Sequence, residues 1–213
     1  MTSTSSSPSR IPASLRVLGR AARDWYDDWF NQFILNFLAV LSWITVVLGP
    51  PILFGFYEIA HEMTYGRSGG PGDLFRAAKR YFGVSWLWMA IQVGVAIIAL
   101  VNMRFYWGLE RAWSTILASL FFFLGLFWAM MQIYVIPYYM AQKTKSLKLA
   151  FKNAALTFLA SPGFTFVLFL VSVFLLLASI LFILPLILGG PALVVLIGAR
   201  AVQDRLRAFG IIE

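Results

Sequence analysis

The sequence predicts an all-α, polytopic helical membrane protein with about five transmembrane helices. Hydrophobic residues make up 61% of the 213 positions and charged residues only 12%, which leaves too few polar side chains to cover a water-soluble domain. Long apolar runs recur, and about 18 such residues suffice to cross a hydrocarbon layer roughly 30 Å thick. Most Lys and Arg residues lie in short segments between these runs, as in the loops of membrane proteins.

The chain is predicted to contain four regions. Residues 1–14, rich in Ser, Thr and Pro, are expected to form a disordered tail because they cannot build a core. Residues 15–32 alternate apolar and charged positions at helical spacing, which predicts an amphipathic helix lying in the membrane interface. Residues 33–202 are expected to form a single helical membrane domain, and 203–213 a short cytoplasmic tail.

The predicted spans follow the apolar runs of the membrane domain. The last run, residues 164–199, would be roughly 54 Å long as one helix, far more than the layer requires. We therefore expect it to fold back as two short helices, with the bend at Pro185 or at the "LGGP" of 188–191. The five spans are predicted at 33–59, 84–102, 114–140, 164–183 and 185–201.

Gly-Pro motifs are predicted to kink or break several of these helices, because proline lacks the N–H that an interior helical position requires. The "LGPP" at 48–51 falls inside the first run, and "LGGP" repeats the pattern at 188–191. Paired interruptions can form a binding site in transporters, or they can simply bend helices and allow close packing. The predicted break residues are Gly49, Pro50, Pro51, Pro137, Gly189, Gly190 and Pro191.

Two short basic amphipathic helices are predicted, in "DLFRAAKRYF" and "SLKLAFKNAALTF". Each follows a polar segment at the end of a predicted span. Asp73 and Ser146 begin these segments and belong to the residue types that cap helix amino termini. We expect the basic faces to contact anionic lipid headgroups or a protein partner, through Arg76, Lys79, Arg80, Lys145, Lys148 and Lys152. We therefore expect the overall charge of +8 to favour binding to anionic lipid rather than to nucleic acid.

The orientation is predicted from the distribution of Lys and Arg, which are retained in cytoplasmic loops. With five spans, most of these residues fall on the side of the carboxyl terminus, which is therefore expected to be cytoplasmic. The amino terminus would then lie outside.

One polar cluster near a span could carry chemistry. Glu58, His61 and Glu62 are spaced to share one helical face, and a Glu-x-x-His pair can bind a metal in a bundle that supplies further ligands. His61 is the sole histidine, so we favour a polar helix end in which Glu58 pairs with a loop Lys or Arg. With no cysteine and no nucleophile or nucleotide-loop motif, no catalytic, cofactor or metal residue is predicted.

Several segments together resemble one known family. Asn36, "VLGPPILFGFYEIAHEM", the turn into "DLFRAAKRYF" and "IPYYMAQKTKSLKLAFKNAALTFLASP" are similar to the YesL-like family of small bacterial integral membrane proteins. The resemblance implies a multi-pass protein of the bacterial plasma membrane with an accessory role beside carbohydrate ABC uptake. It implies no activity and no catalytic residue.

We therefore expect a non-enzymatic integral membrane protein that acts as an accessory or interaction subunit. The expected partners are membrane lipid, other membrane proteins such as ABC permease subunits, or further copies of the chain. The alternative is a transporter or channel protomer whose broken helices form a permeation path on oligomerisation. A lipid-modifying enzyme, which would depend on Glu58 or His61, is less favoured.

Overall fold

The computed structural model describes residues 11–212, and all regular structure in that range is helical. Short turns connect most of the helices. The helices are α1 (Ala13–Asp27), α2 (Trp29–Ile44), α3 (Gly49–Met63), α4 (Pro71–Arg80), α5 (Phe82–Trp107), α6 (Ala112–Ala141), α7 (Leu147–Ala160), α8 (Pro162–Leu181), α9 (Ile183–Leu188) and α10 (Gly190–Ala208).

Three of these helices, α5, α6 and α8, are long and apolar enough to cross a membrane by length and composition. They cover most of the predicted spans 84–102, 114–140 and 164–183. The all-helical class with apolar helices of membrane length is therefore confirmed. The predicted count of five spans is not confirmed, because each of the remaining two predicted spans is divided between two helices.

The first predicted span, 33–59, is two helices in the structure. The turn at 45–48 separates α2 from α3, which have 16 and 15 residues. Each is about 22–24 Å long, short of the roughly 30 Å hydrocarbon layer. The turn is tight, because Val46 has a positive φ of 59°, a conformation that costs a β-branched residue energy.

The last predicted span, 185–201, is also divided. The short helix α9 ends at Leu188, and α10 begins at Gly190 and continues to Ala208. Residues 203–208, predicted as part of a tail, thus belong to α10, and Gln203 and Asp204 are buried. Because α10 carries Arg200 and Asp204 among packed residues, it is less apolar than the predicted span.

The amino-terminal region differs from its prediction as well. Residues 1–10 of the predicted tail lie outside the described residues, and α1 begins at Ala13. It ends at Asp27 rather than at residue 32, because α2 begins at Trp29. Val17 and Ala21 of its apolar face are fully buried, and this face packs on α10.

Pro137 does not break its helix, because α6 continues through it to Ala141. A proline cannot donate to the carbonyl four residues earlier, here that of Ile133. That carbonyl faces Gly198 of α10, where a Cβ atom would lie 2.8 Å from Ile133 O and 3.2 Å from Pro137 Cγ. The missing side chain lets the two backbones approach closely, as small residues do between membrane helices.

The core is formed by α3, α10 and the second half of α6, whose inward side chains make one buried cluster. By contrast α5 buries only Ser85, and α6 before Met130 buries only Ser114 and Ala118. We call residues 82–107 and 112–129 the apolar arm. Most of its large apolar side chains are exposed, apart from those that pack on the core, such as Trp88, Phe127 and Trp128, so the described part of the chain leaves the outer face of the arm uncovered.

Nearly all charged residues gather at one end of the core, which we call the basic end. It holds α1, α4, α7, the end of α3 and the end of α10, joined by contacts such as Arg80 with Glu58 and Arg200 with Asp24. In the described chain only Arg104, Glu110 and Arg111 lie elsewhere, in and beside the turn between α5 and α6.

The basic end includes α1. The arginines of α1 therefore lie at the same end of the core as the end of α10. Arg16 pairs with Asp204 at 3.3 Å, so α1 and the end of α10 lie together. The region 33–59, predicted as one crossing, forms α2 and α3, which turn back on each other so that Gln32 contacts Met63.

Candidate functional site

The first helix break forms at the start of α3. Pro50 and Pro51 occupy its first turn, where a missing N–H costs nothing because no intrahelical acceptor is available there. Gly49 lies against the ring of Trp43, and a Cβ atom at this glycine would be 2.7 Å from Trp43 Cδ2. The three residues predicted to interrupt the span therefore begin a new helix, and Trp43 fixes its direction.

The second break forms between α9 and α10. Gly189 has a φ of 122°, which only glycine adopts readily, and Pro191 lies in the first turn of α10. Gly190 packs against the hydroxyl of Ser179 in α8, with no room for a side chain. This arrangement turns the chain back from α8 along the core.

Asn36 of α2 bridges the two sides of the second break. Its Nδ2 donates to Leu186 O at 2.8 Å and to Ile187 O at 3.2 Å, and its Oδ1 accepts from Ala192 N at 3.1 Å. These groups lie where regular helical hydrogen bonding stops, and the side chain is fully buried. The carboxamide thus replaces backbone partners that the break removes. Asn36 belongs to the segments that carry the family resemblance, but the sequence did not predict this contact.

A cavity of about 640 Å³ lies beside the two breaks. Residues of α2, α3, α6, α8 and α10 line it, with Trp88 of α5 and Leu186 of α9. The lining is mostly apolar and contains no Asp, Glu, Lys, Arg or His. The cavity can therefore hold apolar matter but offers no charged group for an ion.

The predicted polar residues Glu58, His61 and Glu62 lie at the basic end but do not form one site. Glu58 pairs with Arg80 of α4 at 2.9 Å, and Glu62 pairs with Arg67 of the following turn. His61 packs edge-on against Tyr65 with ring centroids 5.3 Å apart. Each carboxylate thus has its own cation, in agreement with the polar helix end expected for Glu58.

The ionisable groups here fit a structural role. Burial lowers the pKa of His61, so the neutral imidazole is favoured at pH 7. Partial burial likewise lowers the pKa of Lys145, whose amine donates to Met140 O at 2.6 Å. Within residues 11–212 no three His, Asp or Glu side chains are grouped as metal ligands.

The two predicted basic helices correspond to α4 and α7. Ser146 caps α7, accepting from Leu149 N at 3.4 Å. Asp73 instead lies inside the first turn of α4 and accepts from Gly70 N at 3.0 Å. Of the predicted headgroup contacts, Lys79, Lys148 and Lys152 are exposed, whereas Arg76 and Arg80 pair with Asp73 and Glu58.

A buried ion pair joins α1 to α10 and was not predicted. Arg200 binds both carboxylate oxygens of Asp24, at 2.5 and 2.7 Å, and also contacts Gln203 Oε1 at 2.8 Å. Gln203 Nε2 in turn donates to Thr64 O of α3 at 2.8 Å. The network ties three helices together at the basic end.

Comparisons with known proteins give no further assignment, since no family model, no curated protein and no solved structure matches this chain. The similarity to the YesL-like family stays a prediction.

Proposed function

We propose that the protein is a non-enzymatic integral membrane protein of the bacterial plasma membrane that acts as an accessory or interaction subunit. The observation that carries this proposal is the apolar arm. Its membrane-length helices have outer faces that the rest of the described chain leaves uncovered, and patches of this kind mark interaction or membrane surfaces. An ABC permease subunit, expected from the family resemblance, is one candidate partner.

The arrangement of the helices supports a specific topology. We infer four crossings, by α5, α6, α8 and the α9–α10 segment, with α2 and α3 forming a hairpin that enters the layer and returns. An even number of crossings follows from the placement of α1 and the end of α10 together at the basic end. This proposal replaces the five predicted spans.

The charge distribution orients this topology. Fourteen cations of the described chain lie at the basic end, namely Arg16, Arg20, Arg23, Arg67, Arg76, Lys79, Arg80, Lys143, Lys145, Lys148, Lys152, Arg200, Arg205 and Arg207, against Arg104 and Arg111 near the opposite turn. Lys and Arg are retained on the cytoplasmic side, so we propose that both termini are cytoplasmic. The basic end would then face anionic lipid headgroups.

Single cysteines test the orientation directly, because the chain contains none of its own. In intact cells we expect a membrane-impermeant maleimide to label Glu110→Cys, in the turn between α5 and α6. Arg20→Cys and Thr144→Cys should react only after permeabilisation. Labelling of Arg20→Cys from outside would contradict a cytoplasmic amino terminus.

Partner binding by the apolar arm is tested with substitutions that change the shape of its surface and keep that surface apolar. We expect Phe122→Leu with Phe123→Leu to reduce about tenfold the co-purification of a stoichiometric membrane partner in mild detergent. Phe174→Leu on α8 is the matched control, since all three phenylalanines are exposed. Equal recovery of partner from both variants, or no stoichiometric partner at all, would contradict an interaction role of the arm.

The convergence of two helix breaks on one cavity favours a second candidate, a transporter or channel protomer whose path forms on oligomerisation. Paired discontinuous helices form substrate sites in many transporters. The lining without charged residues fits an apolar or neutral solute better than an ion. Purified protein that moves a solute into liposomes without any other subunit would support this candidate over the accessory role.

A further inference from the structure

We propose that the outer face of α7 binds an anionic phospholipid of the leaflet at the basic end. The lipid phosphate lies between Lys148 and Lys152. An acyl chain of the same lipid lies along Leu156 and Leu159. This inference rests on the proposed membrane insertion, and it assigns one helix face and one class of lipid where the proposed function assigns only the basic end as a whole.

The cations of the basic end divide into two groups by their partners. In residues 11–212 every ion pair is made by an arginine, and the lysines make none. The paired arginines hold the fold together, so their charge is already compensated. Uncompensated charge is left on the exposed lysines, which are Lys79, Lys143, Lys148 and Lys152.

The chain around α7 supplies no counter-charge to these lysines. No Asp or Glu occurs between Arg111 and Asp204, a stretch that contains the whole of α6, α7, α8 and α9. Lys148 and Lys152 are four positions apart, so they are neighbours on one helix face, where like charges repel. A phosphate that accepts hydrogen bonds from both ammonium groups removes this repulsion. The face is therefore complementary to an anionic group from outside the chain.

The same face continues into apolar side chains. Leu156 and Leu159 are 54% and 66% exposed. With 3.6 residues per turn, both leucines and both lysines fall within a sector of about 80°. A soluble anion would cover only the lysines, whereas a phospholipid covers the whole face. The buried residues on the other side of α7 are Ala150, Ala154 and Thr157.

Short connections hold α7 at the membrane surface. Residues 142–146 join it to α6, and Ser161 alone joins it to α8. Both neighbouring helices are long and apolar enough to cross the membrane. The hydroxyl groups of Tyr138 in α6 and Thr157 in α7 share a hydrogen bond of 2.6 Å. Once the protein is inserted, α7 therefore stays beside headgroups, and anionic lipid rather than an acidic protein is the ligand that always surrounds it.

Fluorescence quenching by brominated lipids tests which lipid covers this face. A bimane label is attached to Ala160→Cys, at an exposed position at the end of α7. The protein is reconstituted in mixtures of phosphatidylcholine and phosphatidylglycerol in which one of the two lipids has brominated chains. We expect the relative binding constant to favour phosphatidylglycerol at least about fivefold, since each cation near an anionic surface contributes a factor of about five.

A label on the apolar arm reports membrane insertion independently of the lysines. Ile97→Cys, at an exposed position of α5, should be quenched by both brominated lipids with a preference below about twofold, because the attraction of distant charges is screened.

Charge variants test whether the α7 face itself selects the lipid. Lys148→Gln with Lys152→Gln should reduce the preference at Ala160→Cys to below about twofold. The matched control is Arg67→Gln with Arg76→Gln, which removes the same charge from residues that pair with Glu62 and Asp73. We expect the control to keep the preference within about twofold of the unchanged protein. Equal loss in the two double variants would overturn the proposal, because total charge would then select the lipid.

The two label positions separate failure of this inference from failure of membrane insertion. Equal quenching by both brominated lipids at Ala160→Cys would overturn the inference and leave insertion intact. Quenching at Ile97→Cys with none at Ala160→Cys would show that protein or water covers the face, and would overturn the inference too. No quenching at either position would overturn the proposed membrane insertion as well.

Discussion

Replacing Arg200 by Met is expected to lower the free energy of unfolding by about 3–5 kcal/mol, the cost of leaving one member of a buried ion pair without its partner. Asp24 would lose both of its bonds to the guanidinium. Gln203 Oε1 would lose its donor too. The side chains of Arg200 and Asp24 are only 15% and 16% exposed, so water cannot replace these contacts fully.

A matched control lies on the same amino-terminal helix. Arg23 and Asp27 are 3.5 Å apart, but their side chains are 82% and 62% exposed, and exposed pairs contribute about 0–1 kcal/mol. We expect Arg23→Met to change the free energy of unfolding by less than about 1 kcal/mol, as measured by SDS titration in mixed micelles. Similar losses in the two variants would show that Asp24 is not held by Arg200.

The double variant Asp24→Leu with Arg200→Met distinguishes the loss of the ion pair from the loss of packing by the arginine side chain. Removing both charges of a buried pair is often neutral or stabilising, whereas removing one is costly. We expect the double variant to recover most of the stability that Arg200→Met loses. A double variant as unstable as the single one would assign the effect to packing of the arginine stem.

The class of the fold was predictable from sequence because it depends on local properties. Apolar run length predicts α5, α6 and α8, and the Gly-Pro motif at Gly49 predicts the interruption of the first span. Proline geometry could not predict whether a helix continues, since Pro51 begins a helix while Pro137 lies inside one. The neighbour of Pro137 in the fold was equally hidden, since the freed carbonyl of Ile133 faces the bare backbone of Gly198, a residue distant from Pro137 in the sequence.

The topology could not be predicted because it depends on where helices turn back. Length alone allows 33–59 to cross as one helix, whereas the proposed hairpin of α2 and α3 changes the side of the amino-terminal region and leaves every later assignment of side unchanged. The pairing of Asp24 with Arg200 would have revealed this, but each residue looks like an ordinary helix-end charge in the sequence. The candidate site has the same limit, since Asn36 and Leu186 are 150 positions apart.

The other large effect is expected for Asn36→Leu, which should lower the free energy of unfolding by about 2–5 kcal/mol. The variant removes the partners of Leu186 O, Ile187 O and Ala192 N, and each buried polar group left unsatisfied costs about 1–3 kcal/mol. The cost falls short of the full sum because α9 can shift by a small amount. Leucine has the same branching as asparagine and is the larger side chain, so the loss does not come from a cavity.

Asn102→Leu is the matched control, because that side chain is exposed and donates only to Ile98 O of its own helix. We expect no loss of stability there, and a small gain if Asn102 faces lipid. SDS titration gives both values, and hydrogen exchange at the start of α10 gives a local readout. Exchange should accelerate at Ala192 in Asn36→Leu, whose amide loses its acceptor, and stay unchanged in Asn102→Leu. If Ala192 were equally protected in both variants, the carboxamide would not bridge α9 and α10, and the second break would have to be held by packing alone.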